Sequence, residues 1–273
     1  MTELERREEA RKVGRFILVA EREINAMGVS PRDPSRNPFD IVGLANVSKA
    51  FALAKSCLKL LSCDLPDEAY GLSRSIVECA NNLRYLTADP DSQNKRTRGF
   101  VKHYLADKAF WAHYCLELFS GRPEEVEIRE YMRQHRIKPD TKSARRHWSG
   151  TSAFIWDVMT IDHPLDGPVT VKHKKISYAA DYFQTSSFVH CSLPSIDNYA
   201  VKEQTPFSVS SSTGVHETNQ STLFIVFLYL HSAISYALFG MNLDRPKKLD
   251  AIFQKTLGLL KPIPRRYGKG KNL

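Results

Sequence analysis

The chain has 273 residues, 42% hydrophobic and 25% charged, which is enough to bury a sizeable core and excludes wholesale disorder. Its net charge of +9 favours encounter with anionic partners without dictating a fold. Five scattered cysteines, odd in number and without paired metal-ligand spacing, argue against a disulfide framework and a zinc site and predict reduced thiols.

Met1 to Met27 reads as a charged amphipathic helix, closed by Gly28 and by the breaker segment Pro31 to Pro38. Its dense charge leaves no apolar signal core, so a cytoplasmic location is expected. From Asp40 the pattern is strongly helical: Leu44, Val47, Phe51, Ala54, Leu58 and Leu61 fall three and four apart on one stripe. After Pro66 the design repeats with Ala69, Leu72, Ile76, Cys79, Leu83 and Leu86. Only Cys63, Asp64 and Leu65 join these two segments, which predicts an antiparallel helical hairpin.

A third long helix is expected from about Ser92 to Phe119, stopped by Ser120-Gly121, with a shorter one over Glu124 to His135. Lys138 to Pro168 is mixed. Helix resumes from Val171 to His190, and Thr205 to Gly214 alone has strand character, as a hairpin or an ordered loop. Leu223 to Phe239 carries no formal charge but includes His231, Ser232 and Ser235, and it sits at the lower length limit for a membrane span. A buried central helix is the expectation, with no membrane partner. Pro246 to Leu260 forms a last helix.

The fold class expected is therefore all-α: a multi-helix bundle with a long helical hairpin and a small irregular or hairpin insertion. Residues 1–38 read as a charged helix and linker, 40–260 as one helical domain, and 261–273 as a basic flexible tail.

Three short motifs carry a resemblance. Ala69 to Glu78 (Ala-Tyr-Gly-Leu-Ser-Arg-Ser-Ile-Val-Glu) places Arg74 and Glu78 four apart; Trp148-Ser149-Gly150 follows; Tyr182 precedes Ser186-Ser187-Phe188-Val189-His190. Over about Val42 to Tyr199 the chain resembles a bacterial helical family known as domain of unknown function 5677. The resemblance implies a helical fold and supplies no activity.

Physically, Arg74 and Glu78 fall opposite the Leu72/Ile76/Leu83 stripe, in a row with Asn81 and Tyr85. Tyr182, Ser186 and His190 form a second row at four-residue spacing. If the rows face each other, guanidinium, carboxylate, hydroxyls and imidazole make one polar network. Such a network either locks helices together or binds an anionic, nucleotide-like ligand through Arg74. His190, with Arg74 and Glu78, is then the candidate catalytic group.

Basic helical chains also invite comparison with the HEPN ribonucleases, whose signature sets a His a few residues after an Arg. Arg96 and Arg98 before His103, and Arg129 before His135, fit that spacing. With nine histidines and about twenty arginines, roughly two such pairs arise by chance, so three carry no signal. His163, His173 and His190 are too scattered for a metal, and Gly268 to Lys271 lacks the strand and helix of a phosphate loop. No metal or cofactor is expected.

Arg129, Arg133, Arg136, Arg145 and Arg146, interleaved with Tyr131 and Trp148, are the best candidate surface for nucleic acid; a solvated, positively charged connector is the favoured reading of the same stretch. The sequence thus favours a noncatalytic binding or interaction module with a polar Arg/Glu/His site. The alternatives are a metal-independent ribonuclease or other phosphate-directed enzyme of a stress or defence system, and a nucleic-acid-binding protein. A homodimer is compatible with each.

Overall fold

A computed structural model describes residues 3–33, 35–134, 136–138, 161–166 and 216–260. Seven helices and no strand occur among these residues: α1 (Glu3–Ala26), α2 (Pro38–Ser62), α3 (Pro66–Thr87), α4 (Gln93–Leu118), α5 (Pro123–Gln134), α6 (His216–Gly240) and α7 (Lys247–Leu259). The expected segments from Val171 to His190, from Thr205 to Gly214, and from residue 261 onward lie outside the described residues.

Local chemistry sets the helix ends. Gly28 leaves α1 at φ 59°, a left-handed conformation that costs glycine nothing. Pro38, Pro66 and Pro123 open α2, α3 and α5, where a missing N–H leaves no bond unmade. Asp40, Asp67 with Glu68, and Glu124 with Glu125 place negative charge in those first turns, against the positive end of each helix dipole. Glu125 also accepts the Gly121 amide at 2.7 Å, tightening the turn into α5. Asp40 does more than favour a dipole. Its carboxylate is 2% exposed and is gripped by Arg32 through Nε at 2.7 Å, Nη2 at 2.8 Å and the backbone N–H at 3.0 Å. That grip folds the segment after α1 back onto α2.

The α2–α3 hairpin forms as its stripes predict. Val47, Phe51 and Ala54 are buried from one side, and Ala69, Ile76, Cys79, Leu83 and Leu86 from the other. The Cys57 thiol reaches the Ala69 carbonyl across the interface at 3.4 Å. Burial pushes the Cys57 and Cys79 thiols up to about 12 and about 11, so both act as small core groups.

Helix α6 lies across this hairpin and completes a three-helix centre with α2 and α3. Leu223, Val226, Phe227, Leu230, Ala233, Ile234, Ala237 and Leu238 are all buried on one arc of about 140°, and Ile225 and Ser235 are buried outside it. This accounts for the uncharged run: α6 has neighbours on several sides. By length and composition α2 and α6 could each cross a membrane; here 39% of the apolar stretch of α2 and 56% of that of α6 is buried inside the fold.

The charged first helix is an integral part of that core. Val13, Phe16, Ile17 and Ala20 are at most 1% exposed, and the Phe16 ring meets Phe227 edge-on at 4.9 Å. Helix α7 pairs with α1, and Phe253 stacks on Phe227 at 4.9 Å. Helix α4 roots against α2 and α3 at its first turns and then runs outward, with α5 folded back along it.

Among the described glycines, Gly240 is the most tightly hemmed in. A methyl group there would overlap the ring of Phe39 from α2 and the Thr87 methyl from α3. Glycine is required because three helix ends converge on one point.

Candidate functional site

Helix α3 is the organising element. Tyr70, Arg74, Val77, Glu78, Asn81, Arg84 and Tyr85 occupy an arc of about 120° at 100° per residue. This arc is the second face of α3, turned away from the Leu72/Ile76/Leu83 stripe. It is covered along most of its length: Tyr70 is 5% exposed, Val77 0%, Asn81 4% and Arg84 8%. Ile225 and Tyr229 of α6 pack on Tyr70 and Val77.

Arg74 donates from Nε to Glu78 Oε1 at 3.0 Å, as the four-residue spacing predicts. Their environments differ. The Arg74 side chain is 16% exposed and Glu78 is 40% exposed, so the cation is sunk and the carboxylate is half open to water. Three residues beyond Glu78, the Asn81 amide nitrogen is buried with no hydrogen-bond partner among the described residues. A buried amide donor without an acceptor is costly, by about 1–3 kcal/mol, and is uncommon in folded chains. Tyr182, Ser186 and His190 lie outside the described residues, as do Trp148, Ser149 and Gly150.

The lower end of the same face carries a network that spacing alone does not reveal. Arg84 donates through Nε to Asp166 at 3.1 Å, closely through Nη2 to the same oxygen, and through Nη2 to the Ile161 carbonyl at 2.8 Å. Tyr236 of α6 donates its hydroxyl to the other Asp166 oxygen at 2.9 Å. Burial and the Asp166 charge together hold the Tyr236 phenol well above its ordinary range.

His163 belongs to this cluster and is 4% exposed. Its Nδ1 accepts the Leu165 amide at 3.0 Å, which leaves the ring proton on Nε2, 3.0 Å from the Thr87 hydroxyl. Thr87 passes its own proton to the Leu83 carbonyl at 2.8 Å. Tyr236 and Phe239 close on the ring edge-to-face at 4.6 and 5.2 Å. Burial brings His163 down to about 4; Asp166 opposes that shift and Arg84 adds to it. The imidazole is neutral and both nitrogens are used, which is the condition of a structural histidine.

Beside it, Gln93 of α4 caps the Gly240 carbonyl at 2.8 Å. Arg96 caps the Tyr85 carbonyl at 2.8 Å while lying over the Tyr85 ring at 4.8 Å. The first of the Arg-to-His pairs is therefore committed to holding α4 on α3. Arg98 donates to the Ser35 carbonyl at 3.2 Å, and His103 projects about 140° around the helix from it. These two do not converge.

On α5, Arg129 pairs with Glu125 at 2.6 Å and Arg133 with Glu130 at 2.7 Å, all on the same helix. The helix holds Glu124, Glu125, Glu127 and Glu130 against Arg129 and Arg133, a net charge of −2 (+2 − 4). Arg136 is exposed just beyond it, and Arg145 and Arg146 lie outside the described residues. Among the described residues no three His, Cys, Asp or Glu side chains gather as metal ligands.

The fold and this face define a class: an all-α bundle built on a central helix that is apolar on one side and polar, yet largely covered, on the other. The chain belongs to the family of unknown function DUF5677, whose pattern matches residues 40–206. The match includes α2 to α5 and the Asp166 segment. Helix α6, which supplies Tyr229 and Tyr236 to the polar face, lies beyond it. No curated protein and no solved structure matches the chain.

Proposed function

We propose that this protein is a cytoplasmic, noncatalytic binding module whose polar face on α3 receives an anionic group of a ligand or partner. Arg74 is the charged anchor and Asn81 a neutral donor beside it. Tyr182, Ser186 and His190 are the remaining members of the site. The observation that carries this reading is the Asn81 amide nitrogen, 4% exposed and without a partner among the described residues, on the same arc as a sunken guanidinium. An oxyanion accepts hydrogen bonds and offers none, so it suits a guanidinium beside an amide nitrogen that has a proton to give. Glu78 holds Arg74 in place and swings toward water when the anion arrives, consistent with its half-open position.

Two of the described imidazoles are consistent with the noncatalytic reading. His163 is neutral with both nitrogens bonded, and burial likewise brings His231 down to about 4. Neither is placed to exchange protons with a solvent-borne substrate near neutral pH.

Thermal unfolding of the full chain against rising inorganic phosphate, and separately ATP, tests the reading. A ligand at a hundred times its Kd stabilises the folded state by about 2.7 kcal/mol, which moves Tm by several degrees. The expected result is a concentration-dependent rise for one of these probes that Arg74→Ala abolishes while keeping its unliganded Tm. A rise that persists in Arg74→Ala, or no rise with either probe, counts against it.

A further inference from the structure

Helix α4 carries a seam that the other described residues do not finish covering. Thr97, Phe100, Tyr104, Asp107, Trp111, Tyr114 and Leu118 alternate three and four apart, the spacing of a helix-pairing stripe. At the root the seam does what such a stripe should: Thr97 is 0% exposed and Phe100 packs against the core. Farther along, the same line leaves the bundle with Tyr104 53%, Trp111 69%, Tyr114 48% and Leu118 66% exposed. Helix α5 covers only the adjacent flank, where Ala112, Met132 and Ile137 form a small separate cluster.

The exposed stretch is ordered. Lys108 lies 4.9 Å over the Tyr104 ring and 5.3 Å from the Tyr131 ring, and it bonds the Tyr131 hydroxyl at 2.6 Å. Beside Trp111, an apolar groove of about 420 Å³ runs between α4 and α5, lined by Ala112, Cys115, Ile128 and Met132. Aromatic side chains beside an apolar cleft are the usual composition of an interface centre.

Charge identifies the occupant. From Gln93 to Ala106, α4 holds Lys95, Arg96, Arg98 and Lys102 with no acidic residue, a charge of +4. From Glu117 to Glu130, the tip of the α4–α5 hairpin holds Glu117, Glu124, Glu125, Glu127 and Glu130 against Arg122 and Arg129, a charge of −3 (+2 − 5). A hairpin basic at its root and acidic at its tip is complementary to itself when two copies lie antiparallel. That is the self-complementarity that a two-fold contact requires.

We infer that the α4–α5 hairpin is a homodimerisation arm: two copies pair antiparallel about Trp111, Tyr104 facing the partner's Leu118 and each basic root lying over the other's acidic tip. The seam seals, and an aromatic side chain from each copy fills the groove of the other.

Sedimentation equilibrium of the full chain up to about 100 μM, in the range where specific interfaces are populated, reads this directly. The wild type is expected to be dimeric, weakening as salt screens the root–tip pairing. Trp111→Glu is expected to raise the dissociation constant by about 30-fold or more, as hot-spot loss does, with unchanged helical circular dichroism because Trp111 is exposed. Trp111→Ala gives the same direction without a new charge. Lys95→Glu/Lys102→Glu and Glu124→Lys/Glu127→Lys are each expected to lose the homodimer, and their mixture to form a heterodimer. A monomeric wild type, a Trp111→Glu chain that stays dimeric, or charge variants that dimerise alone as the wild type does would each overturn the inference.

Discussion

The ring of His163 and the hydroxyl of Thr87 meet at 3.0 Å inside the bundle, and the Leu165 amide on Nδ1 leaves the ring proton on Nε2 for that contact. Through it the short 161–166 segment is tied to the C-terminal turn of α3. Arg84 and Tyr236 converge on Asp166 beside it, so three chain segments depend on one polar cluster.

The first prediction concerns that cluster. Arg84→Met leaves the Asp166 carboxylate, 17% exposed, without its guanidinium. Removing one partner of a largely buried ion pair costs about 3–5 kcal/mol. Tyr236→Phe removes one hydrogen bond to the same carboxylate and is expected to cost about 1–2 kcal/mol. Chemical denaturation of the single and double variants measures both. Strictly additive losses would show that the three groups do not act as one network.

A second prediction follows from the two buried imidazoles. His163 and His231 are both brought down to about 4 from an ordinary 6.5, so the unfolded chain binds more protons than the folded one between those values. Stability is therefore full above about pH 6.5 and falls as pH drops through 6.5 toward 4. For His163 the loss is on the order of 2–3 kcal/mol. Asp40, held below 3.8 by the Arg32 hydrogen bonds, adds its own loss only at still lower pH. Tm measured from pH 7 to about pH 4.5 should fall steadily; a flat profile is incompatible with these neutral rings.

His231 permits a sharper version. Its ring stacks on Phe253 at 3.6 Å and 15°, and its Nε2 is buried without a partner among the described residues. His231→Leu removes that unsatisfied group and should hold or raise Tm at pH 7, while flattening the acid limb. A clear loss of stability at pH 7 would show that the imidazole makes a bond in solution.

Gly240 is expected to tolerate nothing larger. Gly240→Ala drives a methyl into Phe39 and Thr87, and overpacking of this kind costs about 1–3 kcal/mol. Thermal unfolding detects it directly. An unchanged Tm would mean that the three helix ends are more loosely joined than described.

Much of this fold was legible in the sequence because periodicity is a local property. The stripes from Leu44 to Leu61 and from Ala69 to Leu86, the stop at Gly28 and the starts at Pro66 and Pro123 are written within a few residues of where they act. Arg84 and Asp166 are 82 residues apart, and nothing in their spacing says that they meet. Gly240 likewise looks like an ordinary helix terminator until Phe39 and Thr87 are placed against it. At the candidate site, the Arg74–Glu78 pair follows from helix geometry. That the face is covered, and that Asn81 finds no partner for its amide nitrogen among the described residues, follows only from tertiary packing. The uncharged run of α6 gave its burial away, but not that Ile225 and Tyr229 of that helix would pack on Tyr70 and Val77 of the polar face.

Glu78 distinguishes a latch from a structural strut. As a plain helical ion pair with Arg74 it contributes about 0.2–0.5 kcal/mol, so Glu78→Gln should barely change Tm. If Glu78 competes with the anion for Arg74, the same variant should bind phosphate or ATP more tightly. Calorimetric titration of the variant beside the wild type measures this, and weaker binding would assign Glu78 to the ligand contact itself.

The most direct measurement is Asn81→Leu, in which unliganded stability and anion-dependent stabilisation are read from the same unfolding experiment. The account predicts an unliganded Tm equal to or above the wild type, because a buried donor with no partner among the described residues is replaced by an apolar side chain, together with loss of the rise produced by phosphate or ATP. A variant that is strongly destabilised, or that keeps the full anion-dependent rise, would contradict the assignment of this face as a binding site.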